Sequence, residues 1–283
     1  LPLSVLAVGL VLSAPSPAVI GAPPPGLPGA MHVEVPSASG ARLQGWWVPG
    51  RTGGGAIVLM HGVHGNRVGM VRRARMLQDQ GCAVLMFDFQ AHGESAGRRI
   101  TFGKLEGLDA AAAVRFARGR APSEHVAAVG ISLGGAAALL GPTPLDVDVL
   151  VLESVYPTID DALANRLHTA LGPMLGSLAV PVLAPLSKLL LPPILGVEPG
   201  ELRPIDRIGL TGMPLLVASG TADDRTPLVE ARALFNRAPK RDSAPSLFWA
   251  VAGAGHVDLE RHDPVGCRQV VLPFLLRHVQ ARS

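Results

Sequence analysis

The stretch Val126-Ala-Ala-Val-Gly-Ile-Ser-Leu-Gly-Gly-Ala-Ala-Ala-Leu-Leu140 changes character in its middle. Val126–Ile131 is a short apolar run, the pattern of a strand buried on both faces. Ala136–Leu140 starts a helix. Between them, Gly130-Ile131-Ser132-Leu133-Gly134 fits the G-x-S-x-G turn that joins a strand to a helix. The positions two before and two after the serine must be tiny, or side chains would collide across so tight a turn. The Ser132 hydroxyl then projects above the sheet. The Leu133 N–H points toward a reacting oxygen, and the positive end of the following helix lies behind it. Alone, the pentapeptide also fits a plain glycine-rich loop, so its surroundings decide.

Those surroundings repeat the same alternation. Ala56–Met60, Ala83–Phe89, Val149–Leu152, Leu215–Ser219 and Leu247–Val251 are further short apolar runs. Met31–Val35 and Arg42–Val48 read as a hairpin of edge strands joined by Pro-Ser-Ala-Ser-Gly. Val68–Gln80, Lys104–Arg118, Pro227–Arg237 and Pro264–Val279 carry helical spacing. Strands separated by helices predict an α/β fold with a mostly parallel central sheet flanked by helices. Trp46 and Trp47 are neighbours in an edge strand, so at least one points into the core.

Open α/β sheets keep ligands at the carboxyl ends of their strands, and three more motifs fall there. His61-Gly62-Val63-His64-Gly65-Asn66 follows the run at Ala56–Met60. Its Val63 N–H pairs with that of Leu133 as a candidate oxyanion hole, and His61 orients the loop. The H-x-x-H spacing has no third ligand nearby, so no metal is expected. Thr221-Ala222-Asp223-Asp224-Arg225-Thr226-Pro227 follows the strand at Leu215, and Ala252-Gly253-Ala254-Gly255-His256 follows the strand at Leu247. The order Ser132, Asp223, His256 is the order of a Ser-His-acid triad on this type of sheet. Asp224 and Glu153, the latter at the end of the strand after the serine's helix, remain alternative acids.

Here the chain resembles the α/β-hydrolase superfamily over roughly residues 40–280, and within it serine esterases and lysophospholipase-like enzymes. Asp88-Phe89-Gln90-Ala91-His92-Gly93-Glu94-Ser95 is similar to the family's D-x-R-G-H-G-x-S turn, with Gln90 and Ala91 as departures. In that family the turn is structural, which leaves His92 without a catalytic role. Asp223-x-x-Thr-Pro is similar to the family's acid loop and favours Asp223 over Asp224. The long HGGG loop of some lipases is replaced by His61-Gly62-Val63. The resemblance implies cleavage of small-molecule carboxylic esters, including lipid or medium- to long-chain acyl esters, through an acyl-enzyme on Ser132. No cofactor is implied. A peptidase or amidase of the same fold, and a non-catalytic hydrolase-like binding protein, stand as alternatives.

Composition sets the outer limits. The chain has 283 residues, 48% hydrophobic and 17% charged, which excludes intrinsic disorder over its length. A net charge of +3 excludes a polybasic nucleic-acid binder. Cys82 and Cys267 are the only cysteines, too few for a disulfide scaffold or a cysteine-rich zinc module. Arg72, Arg73 and Arg75 cluster on one helix and read as a solvated face.

Two regions depart from the alternation. Residues 1–33 hold no Asp, Glu, Lys or Arg, and Leu3–Leu12 followed by Ser-Ala-Pro-Ser-Pro-Ala looks like the core and cleavage region of a secretory signal. Residues 1–30 are therefore expected to be a signal-like or disordered leader. The protein is expected to be exported, periplasmic or secreted, or membrane-associated, with a cytoplasmic location as the alternative. Leu167–Val197 has Lys188 as its one formally charged side chain and is punctuated by Pro173, Pro181, Pro185, Pro192 and Pro193. Proline breaks helices, so several short helices forming a cap are expected, their leucines lining a pocket, touching a bilayer, or packing the cap down. The resulting division is a leader at 1–30, hydrolase core at 31–156, a helical cap insertion at 157–213 and the rest of the core at 214–283.

Overall fold

The apolar runs assemble as strands with helices on both faces of the sheet, and all but Leu247–Val251, which forms an edge, have neighbours on both edges. The computed structural model describes residues 13–240, 246–256 and 259–280. Its strands are β1 (Ser16–Pro17), β2 (Met31–Pro36), β3 (Arg42–Val48), β4 (Ala56–Met60), β5 (Ala83–Phe87), β6 (His92–Gly93), β7 (Val126–Ile131), β8 (Val149–Glu153), β9 (Leu215–Gly220) and β10 (Ser246–Val251). The principal helices are α1 (Val71–Asp79), α2 (Lys104–Arg120), α3 (Leu133–Leu140), α4 (Ile159–Leu195), α5 (Leu228–Arg237) and α6 (Val271–Val279).

Eight strands form the main sheet in the order β10-β9-β8-β7-β4-β5-β3-β2. Only β3 runs against its neighbours, pairing antiparallel with both β2 and β5. In β4, β5, β7, β8 and β9 every residue is buried, as a sheet covered on both faces requires. α2, α3 and α5 cover one face and α1 and α6 the other. Trp46 and Trp47, adjacent in β3, enter opposite layers. Cys82 and Cys267 are buried thiols on the α1/α6 side. The helix expected at Pro264–Val279 breaks at Val270, leaving a short piece at Pro264–Gln269 before α6.

The basic helix face is not merely solvated. Arg73 is buried against Glu153, Arg72 pairs with Glu260, and Arg75 donates to the Gly26 carbonyl. A helix packed between a sheet and a surface strap turns neighbouring side chains to different partners.

The leader differs from expectation in the part that is described. From Ser13 to Ala30 it lies on the body as an extended strap. Ser16 and Ala18 donate to the carbonyls of Ala91 and Gly93, and Ile20 and Gly21 donate to the Glu94 carboxylate. Leu27 is buried. Part of the strap's backbone is satisfied by edge pairing with β6. The Leu3–Leu12 run lies outside the described residues.

The cap also differs. Instead of several short helices, α4 runs from Ile159 to Leu195 with one break, at Gly172, whose φ of 78° lies in the left-handed region. Two arms result, folded against each other: Gly176 approaches His168, and Lys188 pairs with Asp160 at 2.7 Å. Pro173 opens the second arm, where its missing N–H is no loss. Pro181 and Pro185 sit on its exposed side. Met174, Leu175, Leu178, Val182 and Leu189 of this arm are exposed. Among the described residues no helix is long and apolar enough to cross a membrane. Beyond α4 the chain returns to the body, burying Val197, Leu202 and Ile208 in the core.

Candidate active site

Ser132 stands at the end of β7 with φ 50° and ψ −109°, a conformation that non-glycine residues avoid. Its N–H continues the sheet ladder by donating to the Glu153 carbonyl at 2.8 Å. The glycines on either side are sterically required. A Cβ on Gly130 would lie 2.6 Å from Gly134 backbone, and one on Gly134 would lie 2.4 Å from the Met60 carbonyl oxygen. The elbow is thus wedged between β7, α3 and the end of β4.

The structure brings the three widely separated residues into one line. Ser132 Oγ lies 3.1 Å from His256 Nε2, and His256 Nδ1 lies 3.0 and 3.1 Å from the Asp223 carboxylate oxygens. Because Nδ1 faces a carboxylate, it carries the proton and Nε2 offers a lone pair to the serine. Asp223 is nearly buried, and burial works to raise its pKa. Bonds from His256 and Thr226 outweigh that and hold the carboxyl below the ordinary range. Arg225 N–H and Thr226 N–H donate to Oδ1 at 3.0 and 2.9 Å, and the Thr226 hydroxyl donates to Oδ2 at 2.6 Å. Thr226 stood in the Asp-x-x-Thr-Pro pattern, yet nothing in the sequence pointed to its hydroxyl as the clamp.

The two alternative acids lie elsewhere in bonding terms. Asp224 is exposed on the same loop. Glu153 is buried and takes both guanidinium nitrogens of Arg73, at 2.6 and 3.0 Å. Its carboxylate braces β8 to α1 directly beneath the serine turn.

The loop after β4 is set by His61. Nδ1–H donates to the Gly62 carbonyl at 2.8 Å, and Nε2 accepts the Phe89 N–H at 3.1 Å. Burial, reinforced by the neighbouring His92, lowers the His61 pKa to about 3, so the ring is neutral and both nitrogens are occupied. His92 is likewise buried, with Nδ1 on the Gln90 carbonyl. The loop carries Val63 to the edge of a cavity that Ser132 and Leu133 also line.

Two cavities open on Ser132. A broad cleft of about 1470 Å³ is walled on one side by the strap residues Ala18, Val19 and Ile20 and on the other by Arg225 and His256. A small cavity of about 30 Å³ lies under the cap, lined by Val63, Leu133, Tyr156, Leu163 and Arg166 among others. Neither is lined by residues 167–197. The exposed leucines of the second arm of α4 thus face away from the serine, and the first arm supplies the cap's contribution.

Residues 53–191 match the serine aminopeptidase S33 family. Over 241 residues the chain is 30% identical to an uncharacterized protein of Mycobacterium tuberculosis, covering 84% of this chain and 76% of that one. The esterase Pf2001 of Pyrococcus furiosus superposes with a TM-score of 0.74 at 24% identity, covering 94% of this chain and 99% of the other. The chain belongs to the α/β-hydrolase superfamily. This α/β hydrolase is also 29% identical over 215 residues to the α/β hydrolase domain-containing protein WAV2 of Arabidopsis thaliana, covering 73% of this chain and 66% of that one. The hydrolase fold accounts for the shared rim: each residue of the Ser132, Asp223 and His256 line follows a strand whose C-terminal end meets the same edge of the sheet.

Proposed function

We propose that this protein hydrolyses carboxylic esters through an acyl-enzyme on Ser132. The observation that carries the reading is the unbroken line from Ser132 Oγ through the His256 ring to the buried Asp223 carboxylate. His256 Nε2 takes the Ser132 proton as Oγ attacks the ester carbonyl. Asp223 stabilises the imidazolium that forms. The Val63 and Leu133 N–H groups receive the oxyanion, an arrangement in which one donor is worth about 3–4 kcal/mol. The C–O bond to the alcohol then breaks and His256 returns the proton to the departing oxygen. Water, activated by the same ring, splits the acyl-serine. Every step uses side chains and backbone alone.

The unequal cavities suggest how an ester sits. The small cavity beside Val63 and Leu133 suits a short acyl group, and the large cleft suits the alcohol. This differs from the medium or long acyl chains that the sequence's apolar cap suggested, because the cap's leucines face outward.

A fluorophosphonate probe tests the reading directly. It labels the folded wild-type protein, and the Ser132→Ala protein stays unlabelled. Equal labelling of both, or none of either, overturns the proposal. Comparing acetate and decanoate esters of p-nitrophenol with the matching anilides tests its finer parts. Short esters are turned over fastest. A strong preference for anilides would favour the peptidase alternative, in keeping with the name of the matched family.

A further inference from the structure

Two arginines flank Ser132 with no counter-ion. Arg166, on the first arm of α4, lines the small cavity together with Ser132 and Leu133. Arg225, on the loop after Asp223, lines the broad cleft with Ser132 and His256. The two are held near each other: Asn165 Nδ2 donates to the Arg225 carbonyl at 3.1 Å and to Glu230 Oε1 at 2.6 Å, tying the cap to the acid loop. Among the described residues no carboxylate lies within ion-pair distance of either guanidinium.

The contrast with the rest of the molecule is informative. Buried Arg67 is matched to Asp88 and Glu94, and buried Arg73 to Glu153. A guanidinium withdrawn from water is ordinarily paired in this way. Arg166 is partly withdrawn, and it feels the like charge of Arg225. Burial and that neighbour both push its pKa below the ordinary value, though a guanidinium keeps its charge at neutral pH. An anion placed against Arg166 would relieve it.

Resting on the ester-hydrolase reading, we propose that the substrate's acyl group ends in an anion, a carboxylate held by Arg166. The placement follows from the cavities: Arg166 lines the cavity beside the candidate oxyanion donors, where a short acyl chain lies, and its planar fork matches a carboxylate. The natural substrate class is the half-ester of a short dicarboxylic acid. Hydrolysis adds water across the ester C–O bond, giving the dicarboxylate, the alcohol and a proton. Reactions that esterify one end of a dicarboxylic acid supply such a substrate.

Monoethyl succinate and ethyl pentanoate are near-isosteric esters that differ in the terminal charge, and hydrolysis of each is followed by ethanol release. The expected wild-type ratio of kcat/KM, succinate over pentanoate, is about 10- to 100-fold, the range of a charge-assisted bidentate contact. It shrinks as ionic strength rises. Arg166→Gln lowers this ratio at least tenfold, and Arg166→Lys restores part of it. A second pair, acetoxyacetate against propyl acetate, puts the anion on the alcohol instead. Preference for acetoxyacetate over monoethyl succinate would overturn the acyl placement, and a ratio near one for both pairs would overturn the anion site.

Calorimetric titration of Ser132→Ala with succinate separates this proposal from the hydrolase reading. Succinate binding that is lost in the Ser132→Ala, Arg166→Gln double variant supports the anion site even if fluorophosphonate fails to label the wild type. Absence of binding overturns it even if labelling succeeds.

Discussion

Val126–Leu140 and Leu171–Leu189 are both apolar and nearly free of charge, yet they end in opposite environments. In the first, Val129, Leu133 and Leu139 are buried between the sheet and its helices. In the second, Met174, Leu178 and Leu189 face outward on the cap. Hydrophobicity fixed neither outcome. β7 has hydrogen-bonding strands on both edges and packed layers on both faces, whereas the second arm of α4 rests on the first arm and covers little else. Ser132 sits on the former kind of element, where position is over-determined, and Asp223 and His256 sit on the loops after β9 and β10. The substrate contacts assigned to the cap come only from the first arm, which is anchored through Asn165.

The largest effect separates the elbow from everything else. Ser132→Ala is expected to cost on the order of 10⁶-fold in kcat, and Asp223→Asn about 10⁴-fold. Steady-state rates on a short ester measure both. Asp224→Asn should stay within about threefold, because it lies outside the bonded line. A large loss there and little at Asp223 would reassign the acid.

Next comes the brace beneath the elbow. Arg73→Ala leaves the Glu153 carboxylate buried without its partner, and denaturant unfolding should show a loss of about 3–5 kcal/mol. Arg72→Ala, whose side chain is half exposed, should cost less than Arg73→Ala.

The two apolar stretches can then be compared one leucine at a time. Leu139→Ala opens a cavity in a packed layer and should cost about 2–5 kcal/mol. Leu178→Ala on the cap should change stability by less than about 0.5 kcal/mol. Equal costs would mean that the outer face of the cap is covered in solution.

A further expected effect is a pH dependence. His61 has its pKa lowered to about 3 in the fold by burial, against about 6.5 in an unfolded chain. Below pH 6.5 the unfolded state takes up a proton that the folded state refuses, so stability present at neutral pH is lost as pH falls toward 3. Between pH 6.5 and 5 this group contributes a loss of about 2 kcal/mol, at about 1.4 kcal/mol per pH unit. Unfolding curves across that range for wild type and His61→Gln measure it, and the slope should flatten in the variant.

Much of this was legible residue by residue. The run at Ala56–Met60, the hairpin at Arg42–Val48 and the G-x-S-x-G turn were readable because strand burial and steric closure act over a few neighbouring residues. The prolines of α4 misled because a helix break depends on whether the freed carbonyl can reach water, a property of exposure. The strap was missed because its bonds run to Ala91, Gly93 and Glu94, far along the chain. Ser132, Asp223 and His256 were readable as strand-end residues. Thr226, Glu153 with Arg73, and unpaired Arg166 were not.

Residue order alone carries the succession of strands and helices, the need for glycines around Ser132, and the presence of a serine, an imidazole and carboxylates at strand ends. These follow from local sterics and periodicity, which a linear pattern records. The fold alone decided which carboxylate meets His256, which arginine is neutralised, and which leucines are covered. Those outcomes depend on through-space neighbours and access to water, and chain order carries neither.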